Sequence, residues 1–200
     1  MRKIPLIIAS IVSVVIFLVA CSKTDTSATG TTIYTAITAA FGSEINLNNL
    51  ANYAAQTKPA YIVKDNTGNN PITNAKATLG RVLFYDKNLS IDNTIACASC
   101  HKQAFAFSDT ALISAGVAGG LTDRHSMRLV NERFAVESKF FWDERATSLE
   151  NQTTQPIANH DEMGFSGQTG RANIAALLTK LQGIDYYKEL FKFTYGDITV

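Results

Sequence analysis

The pattern of apolar and polar positions predicts a mainly helical chain. Leu79, Val82 and Leu83 follow the i, i+3, i+4 spacing of one helix face, and no stretch alternates with the period of two that marks a half-buried strand. Similar spacing predicts one or two short helices within residues 33–55 and a helix from Ala75 that ends around residues 88–90. Two more short helices are predicted over residues 126–135 and 147–153, and the second of these is expected to stop before Pro156. It also predicts an amphipathic helix opened by residues 170–173, with Ile174, Leu177, Leu178 and Leu181 on one face, and a helix over residues 185–193 that ends near Gly196.

Two long loops separate these helices. Residues 58–74 contain Pro59, Pro71 and Gly68, which favour turns over regular structure. Residues 108–124 contain three glycines and no sustained period. Long loops inside compact domains are often functional, so the second loop is a candidate part of a site.

The first residues predict export and lipid attachment. A basic start, Met1-Arg2-Lys3, precedes an apolar run over residues 4–18 that is too short for a comfortable membrane span. The following Ala20-Cys21 completes a Leu-Val-Ala-Cys sequence that resembles a bacterial lipobox, in which the signal is cut before a cysteine that then carries lipid. An uncleaved anchor is the alternative, which the small Ala20 and the polar stretch after Cys21 disfavour.

These observations divide the chain into three parts. The predicted parts are a lipoprotein signal peptide over residues 1–20, a flexible polar tether over residues 21–32 and one domain over residues 33–200. The domain is expected on the periplasmic side of the cell envelope, anchored to the membrane by lipid on Cys21 without crossing it. A formal net charge of +1 and the lack of a basic run argue against nucleic acid as a partner.

One motif carries specific chemistry: Cys97-Ala98-Ser99-Cys100-His101 has the C-x-x-C-H spacing of covalent haem c attachment. Each thiol can add to one haem vinyl group, and the adjacent imidazole of His101 then lies under the iron as its proximal ligand. A structural zinc would need four ligands, and Cys21 is the only other cysteine. A thioredoxin-like pair would need a βαβ setting, which the pattern does not show. We therefore expect one covalent haem c.

Several further segments resemble one family in the family's order. They are LGRVLFYDKNLSIDNTIACASCHKQAFAFSD (79–109), DRHSMRLVNERF (123–134), FFWDERATSLENQTTQPI (140–157) and DEMGF (161–165). Together they resemble the N-terminal haem domain of bacterial di-haem cytochrome c peroxidases and of the related methylamine-utilisation-type di-haem enzymes. The resemblance implies a cytochrome c-like helical haem domain with long loops, which reduces hydrogen peroxide to water with electrons from a small periplasmic cytochrome c or copper protein.

The resemblance also implies catalytic residues. Gln152 and Glu162 stand at the family's distal-pocket positions, where Glu162 would be the acid and base and Gln152 would orient peroxide. Trp142 stands where the family places an aromatic residue between its two haems, on the electron route. Without the resemblance, solvated surface would be the simpler expectation for Gln152 and Glu162, and core or interface packing for Trp142.

Other polar residues have more open roles. Asp143 and Arg145 are expected to be a structural ion pair or backbone anchors rather than catalysts. Arg124, Arg128 and Arg145 are unranked candidates to bind the haem propionates. Val117 stands where many family members hold a displaceable histidine, so we expect iron without that sixth ligand.

Two histidines outside the haem motif have alternative roles. His125 replaces an asparagine that in the family helps to bind an interdomain calcium. That leaves calcium as one alternative, a distal iron ligand as another and a structural histidine as the favoured one. His160 borders Asp161-Glu162 and is expected at the surface.

The chain departs from the family in one respect, because no second C-x-x-C-H follows the first. We interpret this as a truncated product rather than a true single-haem derivative. A mono-haem electron carrier with a distal methionine, Met127 or Met163, or an inactive truncated remnant are therefore the alternative functions. The resemblance also allows a homodimer.

Overall fold

The computed structural model describes residues 32–68, 70–137 and 139–197, and these residues form six α-helices joined by turns and loops. They are α1 (Thr35–Phe41), α2 (Asn74–Tyr85), α3 (Cys97–Cys100), α4 (Leu149–Ala158), α5 (Ile174–Gln182) and α6 (Asp185–Tyr195). Short 3₁₀ turns cover Lys87–Leu89, Gln103–Phe105, Val117–Gly119 and Glu132–Phe134. Between described residues β-pairing is limited to isolated bridges, so the predicted mainly helical fold is confirmed. The predicted signal peptide and Cys21 lie outside the described residues.

The well-patterned helices form where the sequence predicts them. Thr73 begins α2 by accepting a hydrogen bond from the Lys76 amide at 3.1 Å, and Asn173 begins α5 in the same way. Helix α2 ends earlier than predicted, because the Asp86 carboxylate accepts the Asn88 amide at 2.8 Å and starts a 3₁₀ turn instead. Helix α6 ends at Gly196, whose φ of 80° closes the helix in the left-handed conformation.

The helix predicted over residues 126–135 is wrong. This segment holds only the 3₁₀ turn Glu132–Phe134, after Asn131 with a φ of 61°. Asn66 draws the backbone into another arrangement, because its amide donates to the Arg133 carbonyl at 2.8 Å and its side chain donates to the Ala135 carbonyl at 2.8 Å. A contact distant in sequence thus overrides the local pattern.

The predicted stop before Pro156 is also wrong, because α4 continues through Pro156 to Ala158. The proline lies in the last helical turns, where its missing amide removes only one helical hydrogen bond. Side chains hold the turn before it: Gln155 donates to Asn151 at 3.1 Å and accepts from Arg145 at 2.9 Å. These contacts compensate for the helical conformation that proline disfavours at the preceding residue.

Helix α6 is the centre of the packing, since it contacts α1, α2 and α5, while α2 also contacts the short α3. The buried apolar core that these helices share includes Ile37, Leu79, Val82, Leu177, Leu181, Tyr187 and Leu190. No helix in the described ranges combines the length and apolarity that crossing a bilayer requires.

Helix α1 is held at its start by a residue from the far end of the chain. The Glu189 carboxylate, on α6, accepts hydrogen bonds from the Ala36 amide at 3.1 Å and the Ile37 amide at 3.0 Å. Tyr34, which precedes the helix, supplies no side-chain cap of its own. The carboxylate therefore satisfies two amides that the helix itself leaves without partners.

Candidate haem and active site

One cavity of about 480 Å³ collects the site residues that the sequence predicts. Cys97, Cys100 and His101 reach it from α3 and the residue after it, Gln152 from α4, and Glu162 from the turn that follows α4. Trp142 lines the same cavity. Residues that are up to 65 positions apart in the chain thus face one space, as the family resemblance requires.

The two cysteines are presented by the single turn of α3. The Ser99 hydroxyl accepts the Ala96 amide at 3.0 Å, and the His101 amide donates to the Cys97 carbonyl at 2.9 Å, which closes the turn. The thiols are not joined in a disulfide, and burial raises the pKa of Cys97 to about 11 and also raises that of Cys100. A thioredoxin-like pair needs a lowered thiol pKa, so this environment disfavours that alternative.

His101 is oriented by one backbone carbonyl. Its Nδ1 lies 2.9 Å from the Phe107 oxygen, which can only accept, so Nδ1 carries the proton and Nε2 keeps its lone pair. Ala106 and Phe107 both adopt left-handed backbone, with φ of 56° and 57°. This conformation is unusual for residues with a side chain, and here it turns the Phe107 carbonyl toward the imidazole.

The loop after His101 is anchored by Asp109, which is 8% exposed. Its carboxylate accepts hydrogen bonds from Lys102 Nζ at 2.5 Å, from the Ser114 hydroxyl at 2.7 Å and from the Thr110 amide at 2.7 Å. The Lys102 hydrogen bond, with help from Ser114, holds the pKa of Asp109 well below its usual range. Lys102 also pairs with Ser108 through an antiparallel bridge, so the whole loop is fixed.

Glu162 and Gln152 are half-buried and their functional groups are free. Neither side chain makes a hydrogen bond or ion pair with any residue in the described ranges. Burial raises the pKa of Glu162, opposed by the charge of Arg145 and helped by that of Asp123. A carboxyl group whose pKa is shifted upward in a cleft suits an acid–base role.

The backbone beneath Glu162 is fixed although its side chain is free. The Val117 amide donates to the Glu162 carbonyl at 3.1 Å, and the Asn159 side chain accepts from the Glu162 amide at 3.1 Å. Gly116 and Gly120 allow this close approach, because a Cβ atom on Gly116 would lie 1.8 Å from the Asp161 carbonyl oxygen. Val117 itself is fully buried and is not among the residues that line the cavity.

Two arginines share one carboxylate at the cavity. Arg124 and Arg145 donate to opposite oxygens of Asp143 at 2.7 and 2.8 Å, which confirms the predicted Asp143–Arg145 pair. The Arg124 hydrogen bond chiefly holds the pKa of Asp143 down to about 2. Both arginines line the cavity, whereas Arg128 lies outside its lining, so the structure ranks the first two above Arg128 as anion-binding candidates.

The remaining predicted residues have mostly structural contacts. Trp142 is 60% exposed and donates its indole N–H to the His125 carbonyl at 2.9 Å. Both ring nitrogens of His125 are engaged, by the Ala111 carbonyl at 2.9 Å and the Ser108 hydroxyl at 3.2 Å, which agrees with the favoured structural role. His160 is half-buried beside Ser166 and is not in the cavity lining. Elsewhere in the described ranges, no three His, Cys, Asp or Glu residues gather as a metal site would require.

Sequence reasoning missed residues that support the site. Asp109 and Phe107 lie inside a segment quoted for the family resemblance, but nothing in their residue types shows that one anchors the loop and the other orients His101. Asp123 adds negative charge near Glu162, and only the spatial arrangement reveals this.

Several known proteins are similar in sequence to this chain. A family model described as di-haem cytochrome c peroxidase matches residues 74–200. The methylamine utilization protein MauG of Methylophilus methylotrophus is 35% identical over 66% of this chain and 36% of its own length. The cytochrome c551 peroxidase of Nitrosomonas europaea is 30% identical over 60% of this chain and 33% of its own length. The chain therefore spans about a third of the length of these curated relatives.

Solved structures share the fold. The crystal structure of a MauG-like protein associated with microbial copper homeostasis superposes with a TM-score of 0.60 at 28% identity, over 73% of this chain and 40% of that one. The diheme peroxidase BthA from Burkholderia thailandensis superposes with a TM-score of 0.51 at 26% identity, over 61% of this chain and 32% of that one. Both likenesses extend over more than half of this chain.

Proposed function

This chain belongs to the di-haem cytochrome c peroxidase family, and we propose that its domain is a haem c peroxidase that reduces hydrogen peroxide to water. The electrons would come from a small periplasmic cytochrome c or copper protein. One observation carries the proposal: a single cavity holds the haem-attachment residues Cys97, Cys100 and His101 together with Gln152 and Glu162, whose side chains make no hydrogen bond with any described residue.

The donor set fits haem c. Cys97 and Cys100 lie one helical turn apart on α3, as two thioether bonds require, and His101 keeps Nε2 available for iron because Phe107 binds Nδ1. Arg124 and Arg145 would bind the propionates, sharing their charge with Asp143. When bound, haem c would supply the redox-active iron at which peroxide is reduced. We propose one such group for the described domain.

Glu162 and Gln152 would handle the proton and the orientation of peroxide. Glu162 would accept a proton from the peroxide oxygen that approaches the iron and return it to the oxygen that leaves as water. Burial raises the pKa of Glu162, which favours a carboxyl group that can hold and return a proton. The free amide of Gln152 would donate a hydrogen bond to the departing oxygen and so stabilise its developing charge.

Two further proposals concern the route by which electrons reach the site and the ligands that the iron would have. Trp142 lines the cavity and is largely exposed, so it can link the site to an incoming electron donor. Val117, which stands where many family members hold a displaceable histidine, is fully buried outside the cavity lining. His125 lines the cavity, but both of its ring nitrogens are engaged by protein oxygens. We therefore infer that haem bound here would lack a second histidine ligand and would need no reductive activation. A resting absorption and EPR spectrum of low-spin, bis-histidine iron would contradict this inference.

The decisive test is Glu162→Gln in haem-loaded protein, with turnover of peroxide measured against a reduced donor cytochrome. We expect kcat/KM to fall by about 10² to 10⁴, the range of a lost acid–base catalyst. Glu144→Gln, an exposed carboxyl outside the cavity lining, is the matched control and should leave turnover unchanged. Equal turnover in both variants would remove the role assigned to Glu162.

A mono-haem electron carrier is the second candidate, because Met127 and Met163 both line the cavity. A methionine sulfur on the iron would close the position at which peroxide must bind. The far-red charge-transfer band of methionine-ligated ferric haem would support the carrier, and a high-spin resting spectrum would support the peroxidase.

The cellular location is proposed from residues 1–21. The basic start, apolar run and cysteine support attachment of lipid at Cys21 and retention on the periplasmic side of the membrane. Metabolic labelling with palmitate should mark the wild-type protein and not a Cys21→Ala variant. Equal labelling of both proteins would reject the assignment.

A further inference from the structure

Two tyrosines on α6 share one carboxylate next to the core. The Tyr186 and Tyr187 hydroxyls both donate to the same Asp86 oxygen, at 2.5 and 2.7 Å. Tyr187 is completely buried, and its ring lies 4.7 Å from that of Tyr186. Asn88 fixes the arrangement, because its backbone amide donates to Asp86 and its side chain donates to the Tyr186 hydroxyl at 3.0 Å.

A carboxylate differs from other hydrogen-bond acceptors of a buried phenol because it can also accept the phenolic proton. Any carbonyl oxygen would satisfy the hydrogen-bonding need of Tyr187, but only a basic group can take its proton. Burial, reinforced by the Asp86 hydrogen bond, raises the pKa of Tyr187 far above its usual range, so the phenol stays protonated. Oxidation of such a phenol is unfavourable unless a neighbouring base accepts the proton as the electron leaves, and Asp86 is placed to do so.

A row of aromatic rings connects Tyr187 to the surface. Phe191 and Tyr195 follow at successive i+4 positions on α6, with ring centroids 6.3 Å apart from Tyr187 to Phe191 and 6.1 Å apart from Phe191 to Tyr195. The last pair is stacked, and Tyr195 is 59% exposed. Tyr195 therefore offers an oxidisable ring to solvent at one end of a row that begins in the core.

The buried end of this row lies toward the haem site. Helix α6 packs on α2, and α2 packs on α3, which carries the cysteines. Core packing alone would explain the rings, but it does not explain a carboxylate held against two tyrosine hydroxyl groups, one of them on the fully buried Tyr187.

From this geometry we propose that Tyr187 and Asp86 form a proton-coupled redox relay between the haem site and the protein surface at Tyr195. The relay rests on the proposed peroxidase function, with hydrogen peroxide as the oxidant. One electron passes from Tyr187 to the haem site that peroxide has oxidised, while the phenolic proton moves to the Asp86 oxygen.

The next transfer restores the buried pair. The neutral Tyr187 radical takes one electron from Tyr195 across Phe191 and recovers its proton from Asp86. Tyr195 releases its own phenolic proton to water and is left as a radical at the surface, where an external reductant supplies one electron. The relay thus gives the site a second electron entry, separate from Trp142.

Freeze-quenched EPR of the haem-loaded protein after peroxide addition tests the relay. We expect a tyrosyl radical, identified by its narrowing when ring-deuterated tyrosine is incorporated. Tyr187→Phe keeps the ring in the core and should lower the radical yield at least tenfold, and Asp86→Asn should lower it while leaving both tyrosines in place. A nitroso spin trap followed by peptide mass spectrometry should label Tyr195 in the wild-type protein and at least tenfold less in Tyr187→Phe.

Tyr85→Phe is the matched control. Tyr85 packs on Phe84, which lines the cavity, and its hydroxyl donates to the Gln103 amide oxygen at 3.5 Å instead of to a carboxylate of a described residue. The radical should persist in this variant. A radical that survives Tyr187→Phe, or that disappears with Tyr85→Phe, would overturn the relay.

A second oxidant separates failure of the relay from failure of the peroxidase. Hexachloroiridate(IV) removes single electrons at the surface without any reaction of peroxide. If the haem spectrum does not respond to peroxide, the proposed peroxidase function fails, and the iridate experiment still tests the relay. Iridate oxidises the exposed Tyr195 directly, and the relay then passes the radical inward to the buried Tyr187. Mass spectrometry should therefore find oxidised Tyr187 in the wild-type protein and at least tenfold less in Tyr195→Phe, and equal oxidation of Tyr187 in both would contradict the relay.

Discussion

The two sides of the candidate site differ in how their polar groups are used. On the side of His101, the imidazole Nδ1 and the Asp109 carboxylate are fully occupied by protein partners. On the opposite side, the carboxyl of Glu162 and the amide of Gln152 make no hydrogen bond with any described residue, although the backbone of Glu162 is fixed. Hydrogen bonds fix the backbone on both sides, and among the described residues the Glu162 carboxyl and the Gln152 amide stay without partners.

The difference fits the two functions proposed for the two sides, which are to hold a metal ligand and to handle substrate and protons. A metal ligand must present one nitrogen in one orientation, and a satisfied hydrogen-bond network holds it there. Groups that transfer protons or bind a small substrate must have their lone pairs and N–H groups free when the substrate arrives. Protein partners on Glu162 would compete with peroxide, so the absence of such partners among the described residues is part of its suitability.

Gly116→Ala should give the largest effect, because it breaks the backbone support on the Glu162 side alone. The φ of Gly116 is −116°, which any residue can adopt, so the effect comes from a Cβ atom that meets the Asp161 carbonyl oxygen at 1.8 Å. We expect the free energy of unfolding in urea to fall by about 3 kcal/mol. Gly80→Ala, in α2 with open space around it, should not destabilise the protein. Equal stability of the two variants would show that the loop yields easily.

Asp109→Asn should come next, because it weakens the network on the His101 side. The carboxylate accepts four hydrogen bonds, and the amide loses the charge that attracts Lys102 and weakens the bonds from Lys102 and Ser114. This change should cost about 2 kcal/mol of unfolding free energy. Since its pKa is lowered in the folded protein, the stabilisation by Asp109 is present above its ordinary value of 3.8 and is lost as the pH falls below it.

The control for Asp109→Asn is Asp185→Asn. Asp185 pairs with Lys188, but its side chain is 77% exposed, so its removal should change stability by less than about 0.5 kcal/mol. Urea unfolding of both variants at pH 7 and at pH 3 measures the difference. An Asp109 variant as stable as the Asp185 variant at pH 7 would mean that the loop does not depend on this carboxylate.

Gln152→Ala should have a smaller effect, confined to catalysis. It removes one hydrogen bond to peroxide and none to the protein, so kcat/KM should fall about tenfold while the thermal midpoint stays within about 2 °C. Gln182→Ala, at the exposed end of α5, is the control. A loss of stability without a loss of turnover would assign Gln152 a structural role instead.

Glu162→Gln should give the smallest effect on stability, and in the opposite direction. The pKa of Glu162 is raised by burial, so its charged form destabilises the folded protein at neutral pH and its neutral form does not. The variant should therefore be more stable than the wild type at pH 7, and the difference should vanish below the ordinary pKa of 4.5. Thermal unfolding across this pH range measures it, and a less stable variant at pH 7 would contradict the burial argument.

The sequence predicted what depends on local pattern and on spaced motifs. Helices α2, α5 and α6 follow from periodic apolar residues, and the C-x-x-C-H spacing by itself predicts that the cysteines and His101 lie together. The grouping of Gln152 and Glu162 with the haem-attachment residues in one cavity followed from family resemblance and not from spacing, because these residues are distant in sequence.

The failures share one physical cause. Hydrogen bonds from Asn66 prevent the helix expected over residues 126–135, and side-chain hydrogen bonds of Gln155 with Arg145 and Asn151 stabilise α4 beyond the expected stop before Pro156. In each case a residue outside the segment, Asn66 or Arg145, changed a backbone whose local preference was weak. The sequence also could not predict that the Phe107 carbonyl orients His101, because the type of a residue does not show where its backbone carbonyl points.

The capping of α1 by Glu189 has a consequence for the order of folding. A seven-residue helix is too short to persist alone, and its two capped amides find their acceptor about 150 residues later in the chain. A chain that emerges from the ribosome or a translocon from its N-terminus exposes α1 long before Glu189 exists. The first helix of the described residues is therefore among the last to become stable, because Glu189 must be synthesised before α1 is capped.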